Sequence, residues 1–420
     1  MAEPDPPLPV IIIGAGISGL LLAQALRRQN IPVRIFERDA DLNARDPGWG
    51  LTLHWSLPAL RSLLPEDLVR RLPETYVDRH AVEDGACSRF PFYDLSTGRV
   101  VARTPKTSEE ERVRVSRQKF RWLLTTGINV EWGKAFSSFA ENKDSVIANF
   151  EDGSSCRGRL LVGCDGTNSR VRQALFPGKH ETFKLPVRCL GLKIALLDES
   201  AKSILESDPF FFQGAHPGQS TFAYVSLLEA PPGGSGYGYY TYQVCVSWPY
   251  RKDWFGRYMP LDTPPSGAGR RALLMEFANG WLPPFSDILD DIPEGAPIKP
   301  LVLEDYRPDK DLQSTGRAVL MGDAFHAMVM YRGEGANHAI VDVEEFSKRI
   351  IPDLVREKED WHALRSALDG YEKEVIARTR PAVLASRVAC MDAHDWTKIT
   401  LKSPLLSKRE KYLNFPEEQN

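Results

Sequence analysis

The feature that most constrains this sequence is a glycine-rich turn near the N-terminus, Gly-Ala-Gly-Ile-Ser-Gly at 14–19. The continuous apolar run Val10–Ile13 precedes it, as expected of a parallel strand that is buried on both faces. After the turn, 17–29 has helical spacing, and Val33–Phe36 predicts a second short strand. Together these segments predict a βαβ unit of about 30 residues.

The residue types in and after this turn suit a dinucleotide. Gly14 permits the tight turn, Gly16 lets the backbone approach a pyrophosphate, and Gly19 lets the helix pack close to the strand. Glu37 ends the second strand, where a carboxylate can accept hydrogen bonds from both hydroxyls of an adenosine ribose. Its neighbour Arg38 is also predicted to contact the cofactor. A ribose 2′-phosphate would clash with Glu37, which disfavours NADP at this position. The motif alone does not separate FAD from NAD, and a structural glycine turn is the alternative.

Two later segments place an aspartate at the end of a predicted strand. Asp165 follows the apolar run 160–162, and Asp323 follows the apolar run 318–321. The carboxyl ends of strands are where open α/β sheets bind ligands. Each aspartate also has a structural explanation, since Asp-Gly is a common turn and an aspartate often caps a helix.

In this order the three motifs resemble those of the flavoprotein aromatic hydroxylases, the group A FAD-dependent monooxygenases. The family pattern D-G-x-x-S-x-[VT]-R is matched in full at 165–172, and G-D-A-x-H is matched at 322–326, followed by the glycine-rich helix start 333–337. The resemblance spans about 8–345. The stretch 48–55 is similar to the subgroup found in fungal secondary metabolism. The chain departs from the family near position 330, where relatives often have a proline.

The resemblance implies FAD as the cofactor and a role for each motif. Asp323, after Gly322, would hydrogen-bond the ribityl chain, and Asp165 would support the pyrophosphate region. Gly335, Ala336 and Asn337 would begin a helix aimed at the N1/C2=O edge of the flavin, whose anionic reduced form the positive helix end stabilises. The remaining candidates lie near the FAD phosphates or on a loop over the ribityl region: Arg117, Arg45 and Gly50. The alternative for Asn337, Arg117 and Arg45 is that each is an ordinary polar residue of its helix or loop and does not contact the cofactor.

The resemblance also implies an activity. NADPH or NADH, binding transiently, would reduce FAD, and a flavin C4a-hydroperoxide formed with O₂ would hydroxylate or epoxidise an aromatic or polycyclic small molecule. Such chemistry requires no protein nucleophile and no metal. Candidate catalytic residues are therefore few: His54, His326, Tyr224 and Tyr240. An FAD-dependent oxidase or dehydrogenase and a Baeyer–Villiger-type enzyme on the same scaffold stay open as alternatives, with a non-catalytic flavin-binding protein as a remote one.

Composition narrows the remaining classes. The formal net charge of −3 argues against a nucleic-acid partner, which would favour a basic excess. Six cysteines without a C-x-x-C pair predict free thiols in a reducing compartment, and no metal site. The apolar run 10–26 is broken by three glycines and is too short to span a membrane. We therefore expect a cytoplasmic protein, as a monomer or homodimer.

The predicted fold class is α/β, in three parts. A discontinuous Rossmann-like FAD-binding domain comprises 8–75, 100–180 and 295–345. An inserted, mostly antiparallel substrate-binding β-sheet domain comprises 76–99 and 181–294, because 221–226 and 239–248 alternate like strands with one covered face. A C-terminal helical segment, 346–420, follows. The helical pattern of the tail is interrupted by Pro352 and Pro381, which predict breaks.

Overall fold

The computed structural model describes residues 7–44, 48–232, 238–356 and 360–416. Its strands are β1 Val10–Ile13, β2 Val33–Phe36, β3 Gly50–Leu53, β4 Phe92–Asp94, β5 Val100–Ala102, β6 Val113–Ser116, β7 Val130–Glu131, β8 Phe136–Glu141, β9 Val146–Phe150, β10 Ser155–Gly158, β11 Leu160–Gly163, β12 Phe183–Lys184, β13 Val187–Leu197, β14 Phe211–His216, β15 Thr221–Glu229, β16 Tyr239–Pro249, β17 Lys299–Leu301, β18 Glu304–Asp305 and β19 Ala318–Leu320. Its helices are α1 Ile17–Arg28, α2 Leu57–Leu63, α3 Glu66–Arg70, α4 Arg79–Glu83, α5 Arg117–Leu124, α6 Arg170–Leu175, α7 Asp198–Ser207, α8 Gly267–Ala278, α9 Phe285–Asp290, α10 Asp323–His326, α11 Gly335–Arg349, α12 Ile351–Leu354 and α13 Trp361–Asp392.

β1 lies at the centre of a five-stranded parallel sheet with the order β19-β11-β1-β2-β7. Val10 stands opposite Val33 on one neighbouring strand and opposite Leu160 on the other. All four residues of β1 are buried, as its unbroken apolar run predicts. The predicted βαβ unit is confirmed. Since parallel strands end at one edge, the turns after β1, β11 and β19 meet there.

The middle of the chain forms a second, seven-stranded sheet with the order β17-β13-β16-β15-β14-β4-β5. The pairs β13–β16, β16–β15 and β15–β14 are antiparallel. Among the strand pairs of this sheet, only β14 and β4 run parallel. The predicted α/β fold with a mostly antiparallel second sheet is confirmed. The predicted domain boundaries run through this sheet, because β5 and β17 lie outside 76–99 and 181–294. β5 stays with its hairpin partner β4, and β17 extends the edge at β13.

The C-terminal segment packs mainly through α13, which contacts α11. Pro352 lies in the first turn of α12, where a proline is tolerated. The break predicted at Pro381 is wrong, because Pro381 lies inside the 32-residue α13. The turns around it are buried, with Val375 and Val383 both inaccessible to solvent. This packing outweighs the roughly 3 kcal/mol by which a proline disfavours a helix interior.

Three further observations bear on the classes considered above. All six cysteines are free thiols. Within the described ranges, no group of three or more His, Cys, Asp or Glu side chains is placed to hold a metal ion. Among the helices of those ranges, none combines the length and apolar character needed to cross a membrane.

Candidate active site

A groove follows the carboxyl edge of the parallel sheet, where the glycine-rich turn lies. Gly14 has a φ of +105°, and a Cβ there would lie 2.4 Å from the carbonyl oxygen of Cys164. A Cβ on Gly19 would lie 2.0 Å from the carbonyl oxygen of Gly14, so only glycine lets α1 approach so closely. A Cβ on Gly16 would meet nothing within 4 Å, because Gly16 opens into the groove. The turn therefore offers bare backbone to a ligand at the N-terminus of α1.

Glu37 is fixed at one end of this groove. Its Oε2 accepts a hydrogen bond from the backbone N–H of Ala15 at 2.8 Å, and its Oε1 accepts one from Asp39 at 3.1 Å. The guanidinium of Arg121 lies 3.9 Å from Oε2. A carboxylate oxygen can accept more than one hydrogen bond, so Glu37 keeps capacity for ligand hydroxyls. Arg38 and Arg117 also line the groove.

Asp165 lines the same groove, but its carboxylate serves the chain. Oδ2 accepts from the backbone N–H groups of Arg170 and Val171 at 2.7 and 3.1 Å, and Oδ1 accepts from the Ser169 hydroxyl at 2.5 Å. Burial raises the pKa of Asp165 against these hydrogen bonds. The side chain thus organises the turn into α6, which is the structural alternative that the sequence left open.

Asp323 behaves differently, although it follows its strand in the same way. Its side chain is exposed where it lines a cavity, and no described residue hydrogen-bonds to its carboxylate. Burial raises the pKa of Asp323, while the charges of His326 and Arg117 oppose that rise. A Cβ on Gly335 would lie 3.7 Å from Oδ1. Asp323 therefore presents an unpartnered acceptor toward the cavity.

His326 is turned away from the cavity into a buried ionic network. Its Nε2 lies 2.6 Å from Oδ2 of Asp342, which also accepts the backbone N–H of Gly322 at 2.8 Å. The guanidinium of Arg378 donates to Oδ1 of Asp342 at 2.6 Å and reaches Nδ1 of His338 at 2.8 Å. Burial alone would raise the pKa of Asp342, but the His326 and Arg378 charges outweigh it and lower that pKa. The network holds the turn before Asp323, so we do not carry His326 forward as a catalytic residue.

Asn337 ties the start of α11 to the segment after β3. Its Oδ1 accepts from the backbone N–H of His54 at 3.0 Å and from the Ser56 hydroxyl at 2.8 Å. Its Nδ2 donates to the carbonyl oxygens of Thr52 and Gly333 at 2.9 and 3.3 Å. The helix begins at Gly335, as expected, and Gly335 and Ala336 line the cavity. The buried Asn337 side chain itself is fully used in positioning.

The cavity measures about 680 Å³ and joins the groove, since both share Gly16 and Arg117. This volume lies in the range of about 300–1,000 Å³ that is typical of small-molecule sites. Residues of both sheets and their connections line it. On the side of the large sheet and its neighbouring loop, the lining side chains include Trp49, Phe211, Gln213, Tyr224 and Gln243.

Comparison with known proteins agrees with this geometry. The FAD binding domain family matches residues 7–200. A protein of Arthroderma benhamiae named "Probable FAD-dependent monooxygenase" is 41% identical over 97% of each chain. The chain belongs to the FAD-dependent monooxygenases. A second relative, the FAD-dependent monooxygenase dbaB of Emericella nidulans, is 37% identical over 84% of this chain and 88% of its own length.

The fold of this monooxygenase also matches solved structures. Klebsiella pneumoniae HpxO, complexed with FAD and uric acid, superposes with a TM-score of 0.71 at 20% identity and covers 93% of this chain and 90% of its own. The resemblance to the flavoprotein aromatic hydroxylases is confirmed, and FAD is the cofactor.

The residues present fit FAD. The groove offers the bare backbone of Gly16 and the fixed carboxylate of Glu37 at one end, and the cavity offers the unpartnered carboxylate of Asp323 at the other. These are the acceptors and donors that a ribose, a pyrophosphate and a polyhydroxyl chain require. We keep the individual contacts as predictions. Arg45 lies outside the described residues, and Gly322, with a φ of +63°, shapes the turn rather than lining the site.

Of the remaining candidate catalytic residues, His54 and Tyr224 line the cavity. Burial, together with the charges of Arg409, Arg112 and Arg332, lowers the pKa of His54 to about 3. Tyr240 does not line the cavity; it is packed in the apolar core against the seven-stranded sheet. The alternation of β16 does not show which of its faces is core, which is why the sequence suggested Tyr240 as a catalytic residue. Its position in the core removes it from the candidates.

Sequence reasoning missed several residues that line the cavity, among them Arg114 and Arg409. Arg114 lies on β6, three residues before Arg117, and an isolated arginine in a short strand carries no motif. Arg409 lies in the C-terminal segment, and its guanidinium donates to the carbonyl oxygens of Leu405 and Ser407 at 2.9 and 2.6 Å. Burial and the neighbouring charge of Arg332 lower the pKa of Arg409 to about 10. Neither position could be placed at the site without the fold.

Proposed function

We propose that this monooxygenase uses NADPH or NADH and O₂ to hydroxylate or epoxidise an aromatic or polycyclic small molecule, as a step of fungal-type secondary metabolism. The observation that carries the proposal is the cavity, which Asp323 and Gly335 line together with Phe211 and Tyr224 of the seven-stranded sheet. Aromatic walls suit a flat ring system, because ring faces and edges attract one another. The names of the curated relatives support the reaction class.

In this proposal the chain holds FAD through the groove. Glu37 accepts the adenosine ribose hydroxyls, the backbone at Gly16 receives the pyrophosphate, and Asp323 accepts the ribityl hydroxyls. The start of α11 at Gly335 directs its free N–H groups and positive end toward the flavin ring. Bound FAD, once reduced by the nicotinamide, supplies oxygen transfer from O₂.

The substrate side of the cavity orients the ring and excludes water. Phe211, Tyr224 and Trp49 provide apolar contact, and the amides of Gln213 and Gln243 offer hydrogen bonds. Excluding water from the cavity protects a reactive oxygen donor from decomposing before it meets the substrate. A pKa of about 3 makes the His54 imidazole a weak base, poorly matched to removing a proton near pH 7, so we assign it a hydrogen-bonding role toward substrate rather than proton abstraction.

The nicotinamide donor would bind transiently, because the sequence contains one dinucleotide fingerprint, and that one serves FAD. The test is the visible spectrum of the purified holoenzyme, repeated after anaerobic addition of NADPH or NADH with a panel of phenols and polycyclic compounds. Flavin bleaching that one compound accelerates, followed by oxygenated product in air, supports the proposal. Bleaching that yields only hydrogen peroxide with every compound would favour an oxidase, and a colourless protein that cannot take up FAD would refute the proposal.

A further inference from the structure

The cavity contains a buried positive charge that no acidic side chain balances. Arg114 is 5% exposed, and its guanidinium donates to two hydroxyl groups, Thr52 Oγ1 at 2.9 Å and Ser226 Oγ at 2.6 Å. Its Nε has no partner. Across the ranges that the structure describes, no carboxylate forms an ion pair with it. A buried charge without a counter-charge is unfavourable, because the charge loses its hydration and gains no compensating attraction.

The surroundings of Arg114 are arranged to hold the guanidinium in this place. A Cβ on Gly50 would lie 2.4 Å from Nη2, so the glycine makes room for it. Its partner Thr52 stands directly opposite Arg114 in the β3–β6 pair. The guanidinium carbon lies 5.6 and 5.8 Å from the ring centres of Phe211 and Tyr224, close enough for a cation–π attraction to each.

Those same two rings are walls of the substrate side of the cavity, and Arg114 lines it with them. A planar molecule lying against Phe211 and Tyr224 would therefore place its edge near the guanidinium. Hydrogen bonds from an arginine to an ionised oxygen are stronger than bonds to neutral acceptors. Thr52 also lines the cavity, and its hydroxyl, which accepts from Arg114, keeps its own proton free to donate to the same oxygen.

We propose that the monooxygenase binds its substrate as an anion, with a carboxylate or phenolate oxygen of the ring system on Arg114. This inference rests on the proposed function and deepens it, because it names the substrate class and a residue that selects it. The anion supplies the counter-charge that Arg114 lacks among the described residues. A neutral analogue of the same shape leaves Arg114 unbalanced and binds more weakly.

The test is equilibrium binding to the oxidised holoenzyme, measured by the change in flavin absorption and by calorimetry. The probes are 1-hydroxy-2-naphthoate and its neutral amide, 1-hydroxy-2-naphthamide, at a pH where the carboxylate is ionised. Wild type is expected to bind the naphthoate at least tenfold more tightly. Arg114→Gln should reduce that preference to less than about threefold, and Arg114→Lys should keep part of it.

The matched control is Arg188→Gln, the same change at an arginine of the large sheet that pairs with Asp262 outside the cavity. It should leave the preference unchanged. Wild type with no preference for the acid, including no binding of either probe, would overturn the inference. So would a preference that Arg409→Gln abolishes and Arg114→Gln retains.

A third result would also overturn it. If Arg114→Gln lowers the midpoint potential of the flavin while the preference for naphthoate stays, the guanidinium serves the cofactor and not the substrate. Failure of the inference is distinguishable from failure of the proposed function, since FAD content and NADPH consumption are measured on the same samples. A yellow enzyme that couples NADPH oxidation to an oxygenated product, without anion preference, keeps the proposed function and rejects the role of Arg114.

Discussion

Nε2 of His326 lies 2.6 Å from Oδ2 of Asp342, and both side chains are inaccessible to solvent. The same oxygen accepts the backbone N–H of Gly322, so a residue of α11 fixes the turn that presents Asp323. Arg378 on α13 completes the pairing at Oδ1. The C-terminal helix is thereby linked to the FAD site through charge as well as through apolar packing.

Asp342→Asn is expected to weaken this turn. The substitution removes the carboxylate that His326 and Arg378 share, and among the described residues it leaves Arg378 paired with Glu374 alone. Breaking one side of a buried ion pair costs about 3–5 kcal/mol. We expect a lower unfolding temperature and weaker FAD retention, measured by thermal unfolding and by flavin release on dilution. Glu344→Gln, on the same helix at a carboxylate that pairs with the lysines Lys348 and Lys411, is the control and should stay within about 1 kcal/mol of wild type. Wild-type values for Asp342→Asn would contradict the role of the network.

Asp323→Ala is expected to weaken FAD binding while the apoprotein stays folded. Asp323 forms no hydrogen bond to the described residues, so its removal breaks none, whereas a bound polyhydroxyl chain loses an ionised acceptor. Such a bond is worth about 1.5–3 kcal/mol, which corresponds to a roughly 10- to 100-fold higher Kd for FAD. Titration of the apoprotein with FAD measures this. Asp309→Ala, a surface change, is the control. Full flavin occupancy in Asp323→Ala would remove Asp323 from the site.

The two candidate tyrosines give a matched pair. Tyr224→Ala enlarges the cavity, and we expect a changed KM for aromatic substrates together with poorer coupling of NADPH oxidation to product. Tyr240→Ala removes a core side chain that does not line the cavity, and we expect a loss of about 3–5 kcal/mol in stability with KM unchanged. Steady-state kinetics and denaturant unfolding separate the two effects. A KM change from Tyr240→Ala alone would show that the cavity extends to the other face of the sheet.

His394 links stability to pH. It is buried, its Nε2 pairs with Ser247 Oγ at 2.9 Å, and burial lowers its pKa to about 4. Because the unfolded chain takes up this proton near pH 6.5 and the folded chain does not, stability is lost as the pH falls from 6.5 toward 4. At pH 5 the loss from this group is about 2 kcal/mol. The stability difference between wild type and His394→Gln should therefore narrow by about that amount between pH 7.5 and 5, as measured by urea unfolding. A constant difference would rule out this linkage.

Local patterns predicted the part of the fold that local forces determine. The unit from β1 to β2 is readable because its apolar run, glycines and helical spacing all act within 30 residues. Pro381 misled us because tertiary packing overrides a local preference that is correct for an isolated helix. Arg114 was missed because its partner Ser226 is 112 residues away in sequence and on another sheet. Tyr224 and Tyr240 both lie on strands with alternating apolar and polar residues, and only the assembled sheet shows which of them lines the cavity.

The most direct test of the central claim is the fate of the oxygen atom. Holoenzyme, NADPH and the compound that best accelerates flavin bleaching are incubated under oxygen-18 gas, and the product is examined by mass spectrometry. Our account predicts a product that contains one oxygen-18 atom from O₂. A product that carries oxygen only from water, or NADPH oxidation that ends in hydrogen peroxide with the compound unchanged, would contradict it.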